Sequence, residues 1–271
     1  MRKVSVCVPV CNGRKHLEAC LRSIATQKGV DLEIVISDDL STDGSFDYAK
    51  YLAKDYPSVS WVFQQNSPRA GMAGNWNLAV KASGGEYVKV VGHDDILKRS
   101  CLVLQADSLA ARDDISVCSA ECDILSHNGR RVFTRKRNFS GGLHLGNSIR
   151  DICLSSAANI IGEPITVMFK RDDFERVGGF DSSMQYYVDV DMWLRLLSGK
   201  QLAYIAEPLC GFRVHRGGAS FSLQRQAFEE FLRMEAKFQD NKTFPLVTRI
   251  GRRLSAVKDS ALRLVAYSLF G

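Results

Sequence analysis

The chain has 271 residues, 45% hydrophobic and 24% charged, enough apolar material for one sizeable α/β domain and far from the composition of a disordered segment. Its net charge of +6 is mild and spread over several segments. That pattern excludes a nucleic-acid-binding block and leaves phosphorylated ligands or an anionic membrane surface as partners.

Met1-Arg2-Lys3 runs directly into a short apolar segment with no room for a signal peptide, and no stretch approaches the ~18 apolar residues of a membrane span. A cytoplasmic protein is expected. The first 110 or so residues alternate short β-branched runs with amphipathic segments, the pattern of βαβ units feeding a parallel sheet. Strands are predicted over 4–10, 32–37, 58–64 and 87–91. The helices between them are marked by Leu17-Cys20-Leu21-Ile24-Ala25, Phe46-Ala49-Tyr51-Leu52-Ala53 and Trp76-Leu78-Ala79-Ala82. Ser41-Thr42-Asp43 is placed to cap the second helix. A further helix is expected over 102–112 and a strand over 115–120. A basic hairpin over 123–140 turns at His127-Asn128-Gly129. Beyond it come a helix at 146–153, a strand at 165–169, a helix at 190–197 and two short strands at 202–205 and 211–214, then helix from Phe221 onward.

The eight cysteines fall mostly inside apolar runs and read as reduced packing thiols. Cys118 and Cys122 are too far apart for a CxxC pair, and no His cluster completes a zinc site.

In an open parallel sheet the ligand crevice lies at the carboxyl ends of the strands. Two acid pairs fall there, Asp38-Asp39 and Asp94-Asp95. The first could accept hydrogen bonds from a base or ribose, or simply form a turn and cap a helix. The second places adjacent carboxylates after an apolar strand, which costs stability unless a cation offsets their repulsion; a hard divalent ion with substrate phosphates suits such oxygens.

Taken with Pro9-Val10-Cys11-Asn12, Ser41-Thr42-Asp43-Gly44-Ser45, Gly85-Glu86-Tyr87, Gly178-Gly179-Phe180-Asp181, the run from Asp189 to Arg195 and Phe212-Arg213-Val214-His215, these pairs stand in an order that resembles family-2 glycosyltransferases of the GT-A fold. The resemblance covers about residues 4–220. It implies a Rossmann-like, mostly parallel sheet flanked by helices. The domain would run over 1–220, with a nucleotide-binding half (1–112) and an acceptor half (113–220), followed by a helical tail (221–271).

Carried over residue by residue, the resemblance implies that Asp39 binds the nucleobase beside Pro9, Val10 and Asn12. Asn77 and Asp94 lie near the ribose or donor sugar, Asp95 and His215 hold Mg²⁺ or Mn²⁺, and Arg213 meets the diphosphate. Asp189 acts as the general base, with Val188 where the family commonly has Glu. Asp191, about 200° further around a helix, cannot share that cleft and is expected to be structural. The implied reaction is inverting transfer of a sugar from a UDP- or dTDP-linked donor to a glycan or lipid-linked acceptor in bacterial surface polysaccharide synthesis. The alternative is an inactive nucleotide-binding scaffold of the same fold. A nucleotidyltransferase or dinucleotide oxidoreductase is disfavoured, since no Gly-rich loop follows the first strand.

The apolar stripe Leu246-Val247-Ile250-Leu254-Val257-Ala261-Leu264-Val265, interleaved with Arg249, Arg252, Arg253, Lys258 and Arg263, suits either an anionic bilayer or packing on the domain.

Overall fold

The computed structural model describes residues 1–137, 139–215 and 227–238. One sheet organises them. Its strands are β1 (Arg2–Val10), β2 (Val30–Asp38), β3 (Ser60–Gln65), β4 (Tyr87–Val90), β5 (Ile96–Leu97), β6 (Ile115–Leu125), β7 (Arg131–Arg135), β8 (Gly142–Leu145), β9 (Val167–Lys170) and β10 (Gln201–Arg213). The order is β3-β2-β1-β4-β9-β6-β10-β5, with β7 beside β6 and β8 beside β10. The first four are mutually parallel; β9 runs antiparallel to both β4 and β6 and joins the two halves of the sheet.

Seven consecutive residues of β1, from Val4 to Val10, are buried, as a central parallel strand covered on both faces requires. Alternation then splits the core. Val4, Val6, Val8 and Val10 face helices α1 (Arg14–Ala25), α2 (Ser45–Ala53) and α4 (Cys101–Ala110), while Cys7 faces the layer built on α3 (Gly71–Ala82), α5 (Gly146–Ser156), α6 (Arg171–Val177) and α7 (Val188–Leu196). The last described helix, α8 (Ala227–Phe238), adds Ala227, Phe231 and Met234 to that second layer. All eight cysteines are free, seven of them buried.

Three local expectations are corrected. The two short strands predicted near the C-terminal end of the sheet are one strand, β10, because register shifts around Pro208 let the pairing with β6 pass a residue that has no N–H to donate. The strand expected from Ile165 begins at Val167, after a 3-10 turn at Pro164–Thr166. Gly44, at φ +79°, occupies the cap position of α2 in place of a side-chain cap; Asp43 sits one residue earlier and accepts the Ser45 N–H at 3.0 Å.

The hairpin between β6 and β7 turns as expected, with Gly129 at φ +83°. The apolar stripe of residues 246–265, and Arg216, Gly217 and Gly218, lie outside the described residues. No described helix is long and apolar enough to cross a membrane.

Candidate active site

The chain leaves β1 toward β2 on one side and returns to β4 on the other, so the crevice at its carboxyl end is the switch point of the sheet. Pro9 and Val10 end β1; the Val10 carbonyl accepts the Asp39 N–H at 2.8 Å, and the Cys7 carbonyl accepts the Val91 N–H at 2.9 Å. Both acid pairs are thereby hung from the same strand.

The loop after β1 is laced to the loop after β2. The N–H groups of Asn12, Gly13 and Arg14 donate to Ser41 Oγ, Ser45 Oγ and Asp43 Oδ2 at 2.9, 3.0 and 2.9 Å, and Asn12 Oδ1 accepts the Thr42 N–H at 2.8 Å. Asn12 holds φ at +53°, which Asn tolerates. A Cβ on Gly13 would meet the His93 ring at 2.4 Å, so glycine alone lets this loop rest on the one that carries the second pair.

Asp39 is buried, and three donors fix its carboxylate: Asn66 Nδ2 at 2.9 Å, the Ala70 N–H at 2.7 Å and the Gly71 N–H at 3.1 Å. Asp38 accepts from the Ser41 N–H and Gln65 Nε2 through Oδ2, while its Oδ1 is buried without a partner. Asn75 Oδ1 receives Ser37 Oγ and Asn66 Nδ2, completing a polar floor beneath the pair. Asn77 is elsewhere. Its carboxamide clasps the backbone of Phe180, donating to the carbonyl and accepting the N–H, both at 2.8 Å. The asparagine of this helix that joins the network around the first acid pair is Asn75, two positions away and on another face, through Ser37 and Asn66.

In the second pair, Asp94 Oδ2 lies 2.8 Å from His215 Nε2, and Asp95 Oδ1 accepts the Arg213 N–H at 2.9 Å. Arg213 Nε donates to the Asp94 carbonyl at 2.8 Å, and its Nη1 reaches the carbonyl of His127 at 3.1 Å. The oxygens left over, Asp94 Oδ1 and Asp95 Oδ2, converge on Gly92, where a Cβ would sit 2.8 and 3.0 Å from them.

Burial works against ionisation of Asp94, yet the His215 hydrogen bond and the nearby His93 outweigh it and hold its carboxyl below the ordinary range. Burial and then the Asp94 charge push Asp95 well above it. Two carboxylates with spare oxygens aimed at a glycine that leaves room suit a hard divalent cation, which would offset the repulsion inside the pair. Among the described residues no three His, Cys, Asp or Glu side chains are gathered for a metal, and His215, expected as a ligand, instead bonds Asp94 through Nε2.

Asp189 is in the first turn of α7, where the helix dipole favours negative charge. Its Oδ1 accepts the Val190 N–H at 2.8 Å and its Oδ2 accepts Asn159 Nδ2 at 3.1 Å. Arg137 donates to the Asn159 carbonyl and to Glu163, both at 2.9 Å. A polar chain thus runs from Asp189 to Glu163. Asp191 is fully buried between Arg195 and Lys237, the structural acid expected of it.

Among known proteins, the family described as Glycosyl transferase family 2 matches residues 5–174. An uncharacterized protein of Mycobacterium tuberculosis is 33% identical over 216 residues, 76% of this chain and 65% of its own length. Abequosyltransferase RfbV of Salmonella typhimurium is 27% identical over 223 residues, with the same shares of 76% and 65%. The chain therefore spans somewhat less than two thirds of these relatives.

Among solved structures, residues 1–349 of TarS from S. aureus superpose with a TM-score of 0.68 at 18% identity, covering 98% of this chain and 72% of that one. The mannosyltransferase PcManGT of Pyrobaculum calidifontis, in complex with GDP-Man and Mn²⁺, gives 0.64 at 21% identity, covering 100% and 76%. At these identities the fold is what is shared.

Proposed function

The chain belongs to glycosyl transferase family 2 and has the GT-A fold, and from that premise we propose that it transfers a sugar, with inversion, from a UDP- or dTDP-linked donor to a hydroxyl of a glycan or lipid-linked acceptor. The observation that supports this reading is that both acid-pair loops follow strands tied to β1, Asp39 through the Val10 carbonyl and Val91, ahead of Asp94 and Asp95, through the Cys7 carbonyl. The abequosyltransferase among its relatives, and another named as a glucosyltransferase acting on a diphosphoundecaprenol-linked glycan, support bacterial surface polysaccharide synthesis as the setting.

In this mechanism the loop from Pro9 to Asn12 and the Asp39 carboxylate frame the nucleobase, and the hydrogen bonds that fix them hold that frame rigid before the donor binds. Asp94 and Asp95 would hold Mg²⁺ or Mn²⁺, with His215 bonded to Asp94, and the cation's charge would offset that of the departing nucleoside diphosphate. Arg213 braces this group by holding both Asp94 and Asp95 through its side chain and backbone. Asp189 takes the proton of the acceptor hydroxyl at its carboxylate, and the Asn159 hydrogen bond fixes the orientation of that carboxylate. One base and a single displacement imply inversion.

Calorimetry with UDP and Mn²⁺ tests the assignment. Asp95→Ala is expected to lose metal-dependent UDP binding, whereas Asp189→Asn keeps it and loses transfer. Unchanged metal-dependent binding in Asp95→Ala would remove Asp95 from the metal site.

A further inference from the structure

Helix α7 begins without a side-chain cap of its own. The turn that leads into it is held instead from α8, 43–45 residues away in sequence. Glu230, 1% exposed, accepts the Gln185 N–H through Oε1 at 2.9 Å and the N–H groups of Tyr186 and Tyr187 through Oε2 at 2.7 and 3.0 Å. Tyr187 is the cap residue of α7, and Asp189 stands two residues on. The Tyr187 ring lies 5.8 Å from that of Phe231, and Lys237 pairs with both Asp181 and Asp191. The far half of α7 is anchored independently: Trp193 is fully buried and its Nε1 donates to the Gly162 carbonyl at 3.0 Å.

We infer that Glu230 is a positioning residue for the catalytic base, fixing the first turn of α7 so that the Asp189 carboxylate meets the acceptor oxygen. The inference rests on the reading of Asp189 as general base. A buried carboxylate taking three N–H bonds is a strong, directional clamp. It grips the end of the helix where the base sits, which the packing around Trp193 leaves to other contacts. A displacement of about 1 Å in a reacting group can cost on the order of a hundredfold in rate.

The test uses the full chain and hydrolysis of UDP-glucose, UDP-N-acetylglucosamine or dTDP-glucose, whichever the wild type cleaves fastest, with water as acceptor. Glu230→Ala is expected to lower kcat about thirtyfold while the stoichiometry and Kd of UDP with Mn²⁺ stay within about twofold. Glu230→Gln, which keeps the shape and one acceptor oxygen, should recover most of that loss. Amide exchange at residues 185–187 should quicken in Glu230→Ala.

Wild-type kcat in Glu230→Ala would overturn the inference, as would a parallel fall of kcat and UDP stoichiometry, which marks a merely structural role. Asp189→Asn separates the two readings. If it still hydrolyses donor at the wild-type rate, the base assignment fails and this inference with it. If it is inactive while Glu230→Ala is unimpaired, only the present inference fails.

Discussion

Arg213 holds Asp95 through its backbone N–H, at 2.9 Å from Oδ1, and keeps its guanidinium for carbonyls: that of Asp94 at 2.8 Å and that of His127 in the β6–β7 turn. The side chain therefore ties three loops together without neutralising either carboxylate. Arg213→Ala is expected to lower stability by about 1 kcal/mol, because partly buried carbonyls lose their donors. It should also weaken UDP–Mn²⁺ binding about tenfold, since the acid pair loses its brace. Arg213→Lys should not restore either, as a single ammonium cannot span the fork. Thermal melts and calorimetry check this, and full rescue by lysine would count against the brace.

Gly92 has a sharper test. A methyl group there would press on Asp94 Oδ1 and Asp95 Oδ2 together. Gly92→Ala should fold but lose at least about tenfold in Mn²⁺-dependent UDP affinity, a loss of about 1.4 kcal/mol. Wild-type affinity in the variant would show that those two oxygens do not act together on a cation.

The burial that pushes Asp95 up has a consequence for the protein kept in chelator. The folded chain then holds a proton that the unfolded chain gives up, so stability is present below the ordinary carboxylate value and is lost as pH rises toward the folded value. Asp95→Asn removes this penalty and retains an oxygen for the Arg213 N–H. Its Tm near neutral pH should exceed wild type by about 2–4 °C without metal, the equivalent of ~1 kcal/mol in a chain of this size. The further rise that UDP and Mn²⁺ give the wild type should disappear. A lower Tm for Asp95→Asn in chelator would refute the argument.

His16 carries the opposite sign. Burial, then the charges of Arg213 and His215, lower it from 6.5 to about 4, with the His215 ring centroid 5.4 Å away. Between those two values the unfolded chain binds a proton that the folded chain does not, so stability falls as pH drops through that window. His16→Asn should flatten the fall in Tm from about pH 7 to about pH 4.5. Parallel pH profiles for variant and wild type would exclude His16 as its source.

Asp39, proposed to face the nucleobase, also holds the loop that follows β3. Because its carboxylate accepts from Asn66, Ala70 and Gly71, Asp39→Ala should cost about 2–3 kcal/mol of stability in addition to nucleotide affinity. A variant that loses affinity at an unchanged Tm would mean the three bonds contribute little.

The parts of the molecule that could be read from the chain are those in which neighbours in sequence are also neighbours in space. β1, β2 and β4 announce themselves as apolar runs because a parallel strand buried on both faces has no polar side to show. The two acid pairs follow because strand ends are visible in the pattern. What could not be read depends on contacts across long separations. Asn75 and Asn77 are alike in sequence, and only the placement of Phe180, 103 residues beyond Asn77, shows that the Asn77 carboxamide is held there while Asn75 bonds Ser37. Gly92 looks like any turn glycine until two carboxylate oxygens are seen converging on it. Glu230 is an ordinary helical acid until its three N–H partners are located. The two strands expected at 202–205 and 211–214 lie on either side of Pro208, and register shifts there let one strand carry both.

The lacing of Asn12, Gly13 and Arg14 onto Ser41, Ser45 and Asp43 has a kinetic meaning. If this loop frames the nucleotide as proposed, its amides are already bonded and little is left to organise when a ligand arrives, so association should be fast and close to what collision and charge allow. Discrimination among nucleotides would then show in how long each complex lives, more than in how quickly it forms.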